Sequence, residues 1–199
     1  MDAFIHGFLL AFGLILPMGI QNIFIFNQGL TQPSYKKALP AIITASVCDT
    51  VLIIIAVSFL HLIADFFENV HVILMIGGFF FLLYIGWTIW HSSVTGNNAT
   101  PPVPAKKQII FALSVSLLNP HALLDTIGVI GTNSLLYQHE AKWLFMIAAI
   151  IVSWLYFFLL GFIGKIVGQL SDNIGWRKRF NQASALMIWG LAFYMLLHI

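Results

Sequence analysis

Two aspartates lie deep inside apolar stretches of this 199-residue chain. Asp49 stands between AIITASVC and TVLIIIAV, and Asp125 stands between NPHALL and TIGVIG. An ionised aspartate at the centre of a membrane helix costs roughly 2.5–3.5 kcal/mol, which makes an idle acid there surprising. We expect each to bind a proton or a cation. The alternative is a neutral, protonated aspartate that is hydrogen-bonded to a neighbouring helix.

The composition indicates that lipid faces most of the surface. The chain is 60% hydrophobic and 8% charged, whereas soluble domains are about 25% charged. Four long stretches lack Asp, Glu, Lys and Arg altogether: residues 3–35, 69–105, 143–164 and 180–199. The sequence therefore predicts an all-α integral membrane protein with the lipid bilayer as partner. A net charge of +2 is too small to suggest nucleic-acid binding.

About 20 apolar residues cross the bilayer as a helix, and the hydrophobic pattern predicts six such spans. They are Phe4–Phe26, Ala38–Leu60, Val70–Trp90, Ile109–Leu136, Trp143–Gly164 and Ala183–Ile199. We expect the first to be a retained span, because MDAFIHGFLL lacks the basic start of a secretory signal. Asp49 then lies roughly 16 Å from either end of the second span, too deep to reach the interface.

The basic residues predict the orientation of the chain. Eight of the nine Lys and Arg residues fall in alternate loops: Lys36, Lys37, Lys106, Lys107, Lys165, Arg177, Lys178 and Arg179. The opposite loops contain only Lys142. The positive-inside rule therefore predicts that these basic loops are cytoplasmic and that both termini are extracytoplasmic.

The one long polar, proline-rich connection separates three spans from three. We interpret residues 93–108 as a cytoplasmic linker between a first three-helix repeat, 1–92, and a second, 109–199, within one transmembrane domain. An odd number of spans in each half makes the second half enter the membrane from the opposite side. The predicted architecture is therefore an inverted 3+3 repeat.

A proline interrupts the first predicted span of each half near mid-membrane. Pro17 lies in PMGIQN and Pro120 in NPH, so the sequence predicts that helices 1 and 4 are broken or kinked there. The backbone groups freed by such a break need partners inside the protein or in a watery cavity. The alternative is a simple proline kink, which is common in membrane helices.

Polar side chains flank both breaks and extend the candidate site. Gln21, Asn22 and Asn119 supply carboxamides, and Gly19 would allow a close approach of backbone or ligand. His121, four residues before Asp125, could relay protons or satisfy backbone groups freed by the proline. Uncapped helix amino ends would suit a carboxylate on the same cargo.

No Lys or Arg falls at membrane depth in the predicted spans to pair with either acid. Two acids beside broken helices, with no basic residue at membrane depth in the predicted spans, predict a cationic cargo, proton coupling, or both. Trp154, Tyr156 and Trp189 could contact a guanidinium or ammonium group, although such residues more often pack or face lipid. Cys48 is the only cysteine, which excludes a cysteine-based metal site.

Three separated segments resemble the LysE family of amino-acid exporters, and most closely its arginine outward permease branch. They are LILPMGIQNIFIFNQGL at 14–30, CDTVLI at 48–53 and LNPHALLDT at 118–126. The resemblance implies proton-driven export of basic amino acids from the bacterial cytoplasm through six helices in an inverted arrangement. It assigns the helix 1 motif to Pro17, Gly19, Gln21 and Asn22, the helix 2 acid to Asp49, and the helix 4 motif to Asn119, Pro120, His121 and Asp125. Ile20 departs from the family pattern, which usually has Pro or Ala there.

We therefore predict a secondary transporter in the bacterial cytoplasmic membrane that exports arginine or lysine by alternating access. Asp49 and Asp125 would exchange the positive cargo for a proton, with no cofactor beyond the proton gradient and with a homo-oligomer possible. The alternatives are export of another amino acid or of an inorganic cation. An intramembrane enzyme is disfavoured by the lack of a catalytic or metal-binding motif, and a channel by the lack of a filter-like repeat.

Overall fold

The structure is a computed structural model that describes residues 2–16, 19–91, 102–170 and 174–196. Within these ranges every regular element is helical, and no strand is found. The prediction of an all-α chain is confirmed for this part of the molecule. The predicted division into 1–92, 93–108 and 109–199 stays a prediction.

Eight α-helices and one π-helical segment make up the described fold. The helices are α1 (Ala3–Ile15), α2 (Ile20–Thr31), α3 (Tyr35–Trp90), α4 (Ala105–Leu117), α5 (Pro120–Leu123), α6 (Thr132–Ser134), α7 (His139–Leu170) and α8 (Ile174–Leu196). The π-helical segment, Leu124–Gly131, connects α5 to α6. In it the backbone pairs residues five apart instead of four.

Two of the described helices are long and apolar enough to cross a membrane, Tyr35–Phe59 and His139–Gln169. The pair formed by α1 and α2 would be a third if the two helices make one bent span. These elements agree with the predicted class of membrane protein. The full set of six spans and the inverted repeat stay predictions.

The first predicted span is divided between α1 and α2, whose axes meet at 77°. Asp2 caps the start of α1, since its Oδ1 atom accepts a hydrogen bond of 3.0 Å from the amide of Phe4. At the other end, Asn22 Nδ2 donates to the carbonyl of Ile15 at 2.8 Å. This bond satisfies a carbonyl that the end of α1 leaves without a helical partner. Pro17 lies outside the described residues.

The second and third predicted spans differ from the structure where they meet. Instead of a loop after Leu60, the helical backbone of α3 runs on to Trp90 and bends at Phe59, whose φ of −127° and ψ of 25° are not helical. We call Tyr35–Phe59 the first arm of α3 and residues 60–90 the second arm. Residues 61–69 contain neither proline nor glycine, so nothing in this stretch ends the helix.

The fourth predicted span is interrupted rather than continuous. Helix α4 ends at Leu117, and the helical backbone resumes at Pro120. Proline suits the first turn of a helix because its missing N–H would have had no helical partner there. Asn119 precedes that turn, and its carbonyl accepts a bond of 3.2 Å from the amide of Leu123. The chain therefore has a short non-helical joint at 118–119.

Helix α7 packs along α1, α2 and the first arm of α3. Its contact with α2 is a seam of glycines that brings the two backbones together. A Cβ atom added at Gly164 would collide with the carbonyl of Phe26, and one at Gly168 with that of Leu30. Small residues permit this close approach in membrane proteins, where packing and polar contacts hold helices together. The second arm of α3 packs against α8, where Trp189 contacts Leu83 and Trp90.

Candidate functional site

A cavity of about 340 Å³ lies where the two interrupted helical runs meet the first arm of α3 and the middle of α7. This volume falls within the roughly 300–1,000 Å³ typical of small-molecule sites. Its polar lining residues include Gln21, Asn22, Asp49, Asn119, Asp125, Thr126 and Ser153, and its apolar lining residues include Ile15, Ile53, Leu82, Ile130 and Phe157. Most predicted site residues therefore surround one interior space.

Asp49 is held by hydrogen bonds from two other helices. Gln21 Nε2 of α2 donates to Asp49 Oδ1 at 3.2 Å, and Ser153 Oγ of α7 donates to Asp49 Oδ2 at 2.9 Å. Both donors are neutral and buried, with Gln21 7% exposed and Ser153 3%. Each carboxylate oxygen keeps further capacity to accept, because it carries more than one lone pair. Asp49 therefore fixes three helices around the cavity and can still meet a ligand.

Asp125 lines the same cavity from the π-helical segment. Thr126, its neighbour, and Ile130 line the cavity from the same segment. Such segments distort the regular helical register and are frequent at functional sites. The structure thus brings the two predicted acids to one space, although they are far apart in the sequence.

The amino end of α2 opens onto the cavity. Gly19 is the residue before α2 and has an extended backbone, and no side chain caps the helix there. Gly19, Gln21 and Asn22 all line the cavity, and Asn119 lines it from the joint between α4 and α5. A helix amino end presents unpaired N–H groups and a partial positive charge, which suit a carboxylate.

Two predicted site residues have side chains outside the described part of the structure. These are Pro120 and His121, whose backbones form the first turn of α5. The proposed proton relay from His121 to Asp125 therefore stays a prediction. So does the role of Pro17.

The described lining of the cavity contains no Lys or Arg. Lys165, near the end of α7, instead donates to the main-chain carbonyls of Gln32 and Pro33, at 2.8 and 3.0 Å. In the residues that the structure describes, no group of three or more His, Cys, Asp and Glu side chains is arranged to hold a metal ion. Among the described lining residues, the charged side chains are thus two acids.

Ser153 is a site residue that the sequence analysis missed. A signal for it exists, because Ala149, Ser153 and Phe157 recur every four residues and so share one face of α7. Two of the three aromatic residues considered from the sequence donate hydrogen bonds to other parts of the protein. Trp154 Nε1 donates to Thr50 Oγ1 at 2.9 Å, and Trp189 Nε1 donates to the carbonyl of Leu83 at 3.2 Å.

Comparison with known proteins matches the chain over almost its whole length. A family model described as LysE type translocator matches residues 12–198. The protein named "Putative amino-acid transporter YisU" of Bacillus subtilis (strain 168) is 49% identical over 195 residues, covering 98% of this chain and 89% of the relative.

More distant relatives carry a more specific name. The arginine exporter protein ArgO of Pectobacterium atrosepticum is 26% identical, covering 98% of this chain and 97% of the relative. The protein of the same name from Yersinia enterocolitica is 27% identical, with coverages of 96% and 95%. No solved structure matches the chain.

Proposed function

The chain belongs to the LysE family of translocators, and from this premise we propose that it exports cationic amino acids, arginine or lysine, from the bacterial cytoplasm. The family and the relatives are transporters of small molecules and not enzymes. The cargo is the finer part of the proposal. It is supported by the site and by the name of the more distant relatives.

The main support for the proposal is that Asp49 and Asp125 line the same cavity. A buried carboxylate is unfavourable unless a proton or a positive group compensates it. A cation that enters this space would meet two acids and, among the described lining residues, no competing Lys or Arg. The cavity thus favours a positively charged side chain over a neutral one of the same size.

The opposite end of the same cargo would be bound by the amino end of α2. Its first turn, next to Gly19, has no side-chain cap and faces the cavity. An amino-acid carboxylate would accept hydrogen bonds from these backbone amides. The amide side chains of Asn22 and Asn119 lie at the cavity wall, where they would help to orient the cargo.

The acids would also couple export to the proton gradient. When the cation leaves, an empty site with two ionised carboxylates is costly, so protons replace it. The protonated site then opens to the cytoplasm again, and a new cation from the cytoplasm displaces the protons. Alternating access of this kind requires the two occupied states to favour different conformations of the protein.

The basic loops support an orientation for the proposed exporter in the membrane. Lys36, Lys37, Lys106, Lys107 and Lys165 belong to the end of the molecule that we assign to the cytoplasm, with both termini outside. We call this the lysine-rich end. Thiol labelling of single cysteines placed at Ser34 and at Gln138, from each side of sealed cells, would test this orientation.

Counterflow in proteoliposomes is the direct test of cargo and coupling. Purified protein is reconstituted with internal arginine or lysine, and uptake of the radiolabelled amino acid is followed with and without an imposed pH gradient. We expect saturable exchange of both amino acids and acceleration by the gradient. Absence of exchange in protein that is correctly inserted would overturn the proposed cargo.

A neutral amino acid is the second candidate cargo, and one observation favours it. Both oxygens of Asp49 already accept hydrogen bonds from the neutral donors Gln21 and Ser153. If these bonds fully satisfy the acid, it serves only to hold the helices together. In that case radiolabelled leucine or glutamine, used in place of arginine in the same counterflow assay, would be exchanged and arginine would not.

A further inference from the structure

A cluster of buried carboxamides joins the start of α4 to the turn between α2 and α3. Gln32, the first residue after α2, donates from Nε2 to the carbonyl of Val103 at 3.2 Å and to Gln28 Oε1 at 3.1 Å. Gln108, in the first turns of α4, donates from Nε2 to Lys37 O at 2.9 Å and to Val103 O at 2.8 Å. The carbonyl of Val103 is therefore shared by two amides. We call Gln32, Gln108 and the carbonyls of Lys37 and Val103 the amide latch.

The latch is closed to solvent but is not fully satisfied. Gln32 is 2% exposed and Gln108 is 1% exposed. The Oε1 atoms of both accept no hydrogen bond from the described residues. A buried acceptor without a partner is unfavourable, and it gains hydrogen bonds once water reaches it. In the closed latch the Nε2 groups make favourable hydrogen bonds, whereas the two Oε1 atoms are buried without a donor. Opening would let water donate to these Oε1 atoms.

One side of the latch is fixed. Lys165 of α7 donates to the carbonyls of Gln32 and Pro33 and so anchors the turn between α2 and α3. The seam of Gly164 and Gly168 holds α2 itself against α7. The turn that carries Gln32 therefore belongs to a closely packed body.

The other side is a short helix with a joint at its far end. Helix α4 spans Ala105–Leu117, and the backbone leaves the helical conformation at 118–119 before α5 begins. Asn119, in this joint, lines the cavity. Helix α4 is held by the latch at its start and by the buried side chains of Ala112 and Val115 along its length. A helix with a joint at its far end can swing while its neighbours stay in place once such contacts are released.

We propose that α4 is a gate on the lysine-rich side of the cavity, hinged at 118–119 and held closed by the amide latch. The gate rests on the proposed transport function, since only a transporter must open the cavity to each side in turn. With the latch released, α4 moves away from the first arm of α3 and water reaches the cavity from the cytoplasmic side.

The protein carries its own reporter of this movement. Cys48, the only cysteine of the chain, is 5% exposed and lies on the first arm of α3 beside Ser116 of α4. A hydrophilic maleimide should label it slowly while the gate is closed. Labelling in permeabilised membranes reaches the protein from both faces, so the result depends on neither the orientation nor the cargo.

The test compares the labelling rate of Cys48 in the parent protein with that in Gln108→Leu and Gln32→Leu. Each variant keeps the side-chain bulk and removes two donated hydrogen bonds. Gln108→Leu takes one from the carbonyl of Lys37 and one of the two from the carbonyl of Val103. Gln32→Leu takes the other bond from Val103 and the bond to Gln28 Oε1. We expect labelling to become about tenfold faster, as the loss of roughly one to two buried hydrogen bonds implies. Gln108→Asn, which keeps the polarity but shortens the reach, should give a smaller increase and serves if a leucine variant fails to fold.

Gln169→Leu is the matched control, because Gln169 is exposed near the end of α7. Its labelling rate should equal that of the parent protein. Unchanged labelling in the folded latch variants, or an equal increase in the control, would overturn the gate. Faster labelling together with no transport of arginine or lysine would keep the gate and reject the proposed cargo. Export of arginine together with unchanged labelling would reject the gate and keep the proposed cargo.

Discussion

The ends of α7 and its middle make opposite kinds of contact with the rest of the protein. At the ends, backbones touch: a Cβ atom at Gly7 of α1 would collide with the carbonyl of Phe145, and one at Gly164 with the carbonyl of Phe26. In the middle, Ala149, Ser153 and Phe157 face the cavity. One helix therefore supplies both the tightest packing and a wall of the binding space.

This difference shows how a cavity can persist inside a small helical protein. Close packing on both sides fixes the separation of α1, α2 and α7, because glycine contacts leave little freedom to shift. The cavity opens beside the middle of α7 and is also lined by residues of α1 and α2, whose axes meet at 77°. We therefore expect substitutions at the cavity, beside the middle of α7, to change transport, and substitutions at the glycine contacts near its ends to change stability.

Removal of either acid should have the largest effect. Asp49→Asn and Asp125→Asn keep the side-chain shape but remove the negative charge that we propose the cargo meets. Loss of a buried charge partner costs about 2–5 kcal/mol, so counterflow of arginine should fall about thirtyfold or more. Glu140→Gln, an exposed acid in the first turn of α7, is the control and should transport normally. Normal transport by both aspartate variants would remove the acids from the mechanism.

Ser153→Ala should weaken binding without abolishing transport. The change removes the 2.9 Å hydrogen bond to Asp49 Oδ2. Hydrogen bonds to charged groups contribute about 1.5–3 kcal/mol, so the KM for the cargo should rise about tenfold or more. Ser114→Ala is the matched control, because Ser114 Oγ donates only to the carbonyl of Ile110 within its own helix. An effect limited to the amount of folded protein, with KM unchanged, would make Ser153 a packing residue.

Gly164→Ala should destabilise the protein through the end of α7. The added methyl group would collide with the carbonyl of Phe26 in the seam with α2. Overpacking of this kind costs about 1–3 kcal/mol, and each kcal/mol lowers the Tm by roughly 2–4 °C in a chain of this size. Thermal unfolding in detergent would measure the shift. Gly190→Ala, at an exposed position of α8 with open space around it, should leave the Tm unchanged or raise it.

Trp154→Phe should have the smallest effect on transport. Trp154 neighbours Ser153 in the chain, but its Nε1 atom donates to Thr50 on the first arm of α3 and it is not among the described lining residues. The loss of one neutral hydrogen bond costs about 0.5–1.5 kcal/mol of stability. The KM for arginine should therefore stay within about twofold of the parent value. A large rise in the KM for arginine would instead indicate that Trp154 contacts the cargo.

Much of the candidate site was predictable because each residue was chemically conspicuous. Asp49 and Asp125 stood out in apolar surroundings, and the amides of Gln21, Asn22 and Asn119 stood beside interruptions of the helical pattern. The cost of polar groups in hydrocarbon made these signals strong. The structure places all five at one cavity. Their roles in binding stay predictions.

The missed features depend on geometry that hydropathy does not encode. Ser153 is a small hydroxyl in an apolar run, and only its register with Asp49 makes it significant. The π-helical segment at Leu124–Gly131 is defined by backbone hydrogen bonds between residues five apart, and no residue type predicts these bonds. The predicted end of the second span, Leu60, lies one residue from the kink at Phe59, but the predicted gap before Val70 is absent because residues 61–69 contain neither proline nor glycine.

The glycine seam has a mechanical consequence. It joins α2, from the first predicted repeat, to α7, from the second, with the two backbones in direct contact. Helices in such close contact cannot easily slide or separate. We therefore expect α2 and α7 to move together as one rigid body in the proposed transport. The predicted repeats, 1–92 and 109–199, would then not be the units that move in the proposed transport, because this seam joins a helix of one repeat to a helix of the other.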